Sequence, residues 1–93
     1  MLQASPLKIF CLALVLFSAV SAQDTERAAR ELFEKATKLA AEKQYEEALK
    51  LFRQSLKLEP RRPTIYNAIG AVFGMQNRHD EAAENFRRAV ELM

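Results

Sequence analysis

Residues 45–60 read YEEALKLFRQSLKLEP, and residues 79–93 read HDEAAENFRRAVELM, so that one pattern returns after 34 positions. Laid over one another without gaps, Ala48 falls on Ala82, Phe52 on Phe86, Ser55 on Ala89 and Leu58 on Leu92. The same offset works upstream, where Leu32 falls on Tyr66, Ala36 on Gly70 and Leu39 on Phe73. Large residues meet large and small residues meet small. Two helices approach closely only where a small side chain faces a bulky one, so a spaced alternation of sizes sets a crossing geometry. A chain that repeats this alternation at a fixed interval repeats a helix hairpin.

From Asp24 onward the apolar residues follow helical spacing and predict four helices. The first runs from about Thr25 to Ala41, with Asp24 or Thr25 as its N-cap and Leu32, Phe33, Ala36, Leu39 and Ala40 on its apolar side. After the polar break Glu42-Lys43-Gln44, a second helix reaches about Leu58, with Ala48, Leu51, Phe52, Ser55 and Leu56 inward. Pro60 ends it, because proline has no N–H to donate and disfavours helical geometry in the preceding residue. Pro63 suits the first position of a third helix, where a missing N–H costs little. That helix carries Tyr66, Ile69, Gly70 and Phe73 and gives way near Gln76-Asn77-Arg78. The fourth begins near His79 or Asp80 and runs almost to Met93, with Ala82, Phe86, Ala89 and Val90 inward.

On these residues the chain resembles the tetratricopeptide repeat family, whose unit is a 34-residue helix-turn-helix. Leu32, Ala36, Leu39, Tyr45, Ala48, Phe52, Ser55 and Pro60 carry the match in one unit, and Tyr66, Gly70, Phe73, Ala82, Phe86 and Ala89 in the next. Leu32 stands where an aromatic is usual, Lys35 where an aliphatic residue is common, Ser55 where alanine is usual, and His79 where the first unit has Tyr45; none shifts the register. The resemblance implies an all-α fold: two repeats, about 27–60 and 61–93, as four antiparallel helices in a short right-handed solenoid. A generic four-helix bundle has no reason to repeat small residues at this interval. The second unit is expected to be incomplete at its C-terminal end.

The N-terminal stretch MLQASPLKIFCLALVLFSAVSA reads as an address. It has one basic residue, Lys8, an apolar run from Ile9 to Phe17 and a tail of small residues, in which Val20 and Ala22 suit signal cleavage after Ala22. The uncharged run from Ile9 to Ala22 spans 14 residues, against roughly 20 for a membrane span. The expectation is therefore a signal peptide over 1–22, a mature domain over 23–93 and export to a periplasm or the exterior; the alternative is an anchor through residues 9–22. Cys11, the only cysteine, leaves with the signal, so the mature domain has no disulfide and no thiolate for zinc.

Loss of Lys8 leaves 13 Lys and Arg against 12 Asp and Glu. With the signs interspersed, neither nucleic acid nor an anionic membrane is expected as a partner of the mature form. Arg61-Arg62 and Arg87-Arg88 are pairs beside Glu59, Glu84 and Glu91, the mark of a solvated helix face. His79, the only histidine, reads as an inter-helix packing residue where the first unit has Tyr45. Glu46-Glu47 and Asp80-Glu81 sit in first turns, where the helix dipole favours acids, and neighbours in sequence point about 100° apart. Gly70 and Gly74 lie within a helix, not between a strand and a helix, so they make no phosphate loop; Gly70 reads as a close-packing position. No catalytic site, cofactor or metal is expected.

In the family that the chain resembles, the first helix of each unit lines a concave face that holds extended or helical peptide segments. The residues this implies are Arg30, Phe33, Thr37 and Ala41 from the first unit, and Thr64, Asn67, Ala71 and Gly74 from the second. Phe33 is the expected apolar anchor and Asn67 the amide that reads a peptide backbone. The family's carboxylate-clamping pattern requires Lys and Asn where Phe33 and Thr37 stand, so capture of an acidic chain terminus is not expected. The expected role is a non-catalytic module binding a protein or peptide. Self-assembly into a homo-oligomer, through residues such as Val90, Leu92 and Met93, and origin as a fragment of a longer repeat protein are the alternatives.

Overall fold

The computed structural model describes residues 4–93, with side chains from Ala22 onward, and folds them into α1 (Ala4–Ala41), α2 (Tyr45–Leu58), α3 (Pro63–Met75) and α4 (His79–Glu91). Among the described residues there is no strand. α1 packs on α2 and α3 on α4 as two hairpins, α2 joins them by packing on α3, and α1 touches α3. Among the described residues, α4 packs on no helix but α3.

Both hairpin turns are the same structure placed 34 residues apart. α1 ends in a Schellman turn: Lys43 takes the left-handed conformation at φ 64°, its N–H bonds Ala40 O at 3.0 Å, and the Gln44 N–H reaches back to Leu39 O at 2.9 Å. α3 repeats this with Asn77 at φ 61°, bonding Gly74 O at 3.0 Å, and Arg78 bonding Phe73 O at 2.9 Å. Orphan carbonyls at each helix end are thereby satisfied and the next helix starts at a fixed angle. The first turns of α2 and α4 carry Glu46-Glu47 and Asp80-Glu81 against the positive end of the helix dipole. Between the hairpins, Glu59 N–H closes on Ser55 O at 3.0 Å, Pro60 stops the helix, and Pro63 occupies the first turn of α3.

The core lies where α1, α2 and α3 meet. Ala36, Ala48, Leu49, Phe52, Ile65, Ile69, Val72, Phe73 and Ala82 are buried, with Phe33, Leu39, Tyr45, Leu51, Leu56 and Ala68 packed against them. Phe33 and Phe52 meet edge to face, their centroids 5.3 Å apart and planes at 65°, the arrangement that aligns the ring quadrupoles. Gly70 is a close-approach position, as expected. A Cβ there would lie 2.8 Å from Phe86 Cε1 and 3.1 Å from Ala82 O, whereas one at Gly74 would meet nothing within 4 Å. Ser55, where alanine is usual, is buried and donates its hydroxyl to Ala29 O at 2.8 Å, tying α2 to α1.

Three expectations are corrected. The first helix does not begin at Thr25: α1 runs continuously from Ala4 through Asp24 and Thr25. A cap side chain contributes about 1 kcal/mol, too little to start a new helix where no glycine or proline interrupts the old one, and Pro6, in the first turn of α1, lacks only an N–H that would be unpaired there anyway. Val90 does not face inward as read; it is 65% exposed, while Phe86 lays its ring against Gly70 of α3 yet stays 38% exposed because among the described residues no helix covers its other side. His79 likewise is exposed rather than packed. The signal-peptide reading of residues 1–22, with Lys8 and Cys11, falls almost wholly on side chains outside the described ones. Among the described residues, no helix is long and apolar enough to cross a membrane.

Candidate protein-binding face

The hairpins set α1 and α3 side by side, and their outward residues are those expected to bind. Arg30, Thr37, Thr64 and Asn67 are exposed, Phe33 and Ala71 half-buried. At one end of this face α1, the end of α2, the loop after it and the start of α3 enclose a recess of about 170 Å³. It is lined by Ala29, Arg30, Phe33, Ser55, Glu59, Arg62, Thr64 and Ile65. Three expected residues, Arg30, Phe33 and Thr64, thus converge on one hollow. Thr37, Asn67 and Ala71, with Ala41 and Gly74, do not line it.

The floor of the recess is apolar and its rim carries charge. Phe33, Ala29 and Ile65 offer hydrocarbon surface. Glu26 lies 4.0 Å from both Arg30 and Arg62, and Arg62 also pairs with the half-buried Glu59. Cations and carboxylates alternate there, so the rim is balanced in sign and suits an apolar side chain flanked by polar groups. The hydroxyl of Ser55 is committed to Ala29 O, and Thr37 donates to Phe33 O at 2.9 Å; neither is placed as a nucleophile. Among the described residues, no group of three His, Cys, Asp or Glu side chains is placed to hold a metal ion.

Sequence reasoning missed Glu59, Arg62 and Ile65 as lining residues. Arg62 read as half of a solvated pair, and in fact it bridges the loop to α1 through Glu26. The missed signal was Pro60 itself: a chain turned back after α2 must lay residues 59–62 against α1.

A second hollow, of about 430 Å³, lies between α2 and α4. Its floor is Leu56, Ile69 and Phe73, and Asp80, Glu81 and Glu84 stand on its rim. Nearby, Arg78 stacks on the Phe73 ring at 4.6 Å and makes two 2.7 Å bonds to Glu81, while Gln76 donates to Glu46 at 2.9 Å. These contacts bind the second turn to α2 and α4.

A family model for the tetratricopeptide repeat matches residues 39–93, more than half of the chain and the part that holds α2, α3, α4 and both turns. The chain belongs to the tetratricopeptide repeat family. No curated protein matches it. Tetratricopeptide repeats are protein–protein interaction modules, generally without catalysis of their own, and they bind protein partners. The repeated Schellman turns are the geometric form of that membership here. They give the two units the same hairpin and so bring α1 and α3 to one side.

Proposed function

We propose that the chain is an exported recognition module that holds a peptide segment of a protein partner along α1 and α3, seating one apolar side chain in the recess. The observation that carries this reading is the convergence of Arg30, Phe33 and Thr64 from two helices on one hollow with an apolar floor and a polar rim. An extended or helical segment leaving the recess runs past Thr37, Asn67 and Ala71, where Asn67 can both donate to and accept from its backbone. Phe33 serves twice in this arrangement. It packs edge to face with Phe52, and its remaining surface contributes to the floor.

The test is capture of a partner from the exported fraction, followed by affinity measurement against exposed-residue variants. Arg30→Glu, Thr64→Arg and Asn67→Ala are expected to weaken binding while helicity is retained, since none of the three is buried. Phe33→Ala is expected to weaken binding and lower stability together. If those variants bind normally while Arg87→Glu, on the far side of α4, abolishes capture, the face is wrongly assigned.

Export rests on the charge and size pattern of residues 1–22. N-terminal sequencing of the chain recovered outside the cytoplasm is expected to begin at Gln23. Recovery of the chain from membranes with Met1 or Leu2 still at its N-terminus would favour the anchor through residues 9–22 instead.

A further inference from the structure

The repeat contains its own standard for what a covered helix looks like. On α2 the strip Tyr45, Leu49, Phe52 and Leu56 belongs to the core where α1, α2 and α3 meet, with Leu49 0% and Phe52 2% exposed. Thirty-four positions on, α4 presents His79, Ala83, Phe86 and Val90, and Met93 follows; all five are exposed. Their spacing is 4-3-4-3, the seam of a helix that pairs with another helix.

We infer that this strip is a homodimer interface in which α4 packs antiparallel on α4 of a second copy. Three observations choose that occupant. A head-to-tail stack is disfavoured, because the positions of α1 that correspond to Ile65, Ala68, Ile69 and Val72 are Glu31, Glu34, Lys35 and Lys38, all exposed. The charge on α4 is self-complementary in the antiparallel sense. Asp80, Glu81 and Glu84 make its first half acidic, and in its second half Arg87-Arg88 outweigh Glu91, although Arg87 also pairs with Glu84 and Glu91 of its own helix, so a two-fold pair sets a net acidic half against a net basic half twice. In the antiparallel register that overlaps residues 79–90, Phe86 of each copy lies over Ala83 of the other, Val90 over His79, and Arg88 opposite Glu81. A large residue then faces a small one at the centre of the seam, as in the hairpins of the protomer. The antiparallel sense also aligns the helix dipoles favourably.

A helix pair of this length is a small interface, so the dimer is expected to dissociate on the order of 10 µM. The test combines sedimentation equilibrium of the full chain with directed cross-linking in a Cys11→Ser background. Val90→Lys, at a side chain already exposed in the protomer, is expected to raise the dissociation constant on the order of a hundredfold, since symmetry applies the change twice. Mixing His79→Cys chains with Val90→Cys chains is expected to give the mixed disulfide in preference to either homodimer. Three results would overturn the inference: a monomer at every concentration, which returns the strip to a helix of another protein; an oligomer indifferent to Val90→Lys, which places the contact elsewhere; and homodimeric disulfides alone, which make the helices parallel. Loss of partner capture through the recess with dimerisation intact separates failure of the binding reading from failure of this one.

Discussion

Phe52 and Phe86 hold the same place in helices 34 residues apart, and one is 2% exposed while the other is 38% exposed. Each ring packs on the partner helix of its own hairpin, Phe52 edge to face with Phe33 and Phe86 against Gly70. The difference comes from the next element along. α3 closes over the second side of α2, and among the described residues no helix does so for α4. A repeat protein is stabilised through neighbours as well as within units, so the same hairpin has a different worth according to its position.

That comparison breaks most visibly by truncating the two rings in turn. Phe52→Ala is expected to cost about 3–5 kcal/mol, the range for a buried aromatic, and Phe86→Ala roughly 1–2 kcal/mol for partial burial. Urea unfolding followed by circular dichroism measures both. Equal losses would show that position in the stack does not set the worth of the ring.

The glycines sharpen the same contrast at smaller scale. Gly70→Ala is expected to lose about 1–3 kcal/mol by overpacking, because its new methyl meets both the Phe86 ring and the immobile Ala82 carbonyl. Gly74→Ala, with open space around it, is expected to gain up to about 1 kcal/mol from helix propensity. The sign difference is the outcome to check by thermal unfolding.

Ser55 and its counterpart Ala89 differ by one hydroxyl, and Ser55→Ala removes a bond that joins α2 to α1. The expected loss is about 0.5–1.5 kcal/mol, read from denaturant midpoints. Ala89→Ser tests the reverse; without gain there, the hydroxyl is valuable only where the Ala29 carbonyl lies beside it.

The smallest expected effects lie in the turns. Lys43 holds a left-handed conformation that costs a residue with a Cβ about 1 kcal/mol, and Asn tolerates it better. Lys43→Gly is therefore expected to stabilise by roughly 0.5–1 kcal/mol and Asn77→Gly by less. A differential scanning calorimeter resolves the pair, and equal gains would mean that Asn77 draws no benefit from its side chain.

Much of the hairpin architecture was readable from residue types. Pro60 and Pro63 bound the joint between units because of what proline cannot do, and the paired Ala36/Gly70 and Ala48/Ala82 positions announced close helix contact. The start of α1 was not readable, because a cap motif shows where a helix is able to begin and says nothing of whether the preceding residues are already helical. The binding face was legible as a list of outward positions. Its recess was not, since it depends on how the loop of Glu59 and Arg62 folds back on α1.

By itself, then, the sequence determined the period, the four helical segments and the places of close approach. These follow from local stereochemistry and side-chain size, which repeat with the residues. Tertiary structure alone decided that Phe52 is buried while Phe86 is half-exposed, that His79 and Val90 face outward, and that Arg30, Phe33 and Thr64 share a hollow. Burial is a relation between elements, and two segments with the same pattern differ in it as soon as one has a neighbour and the other does not.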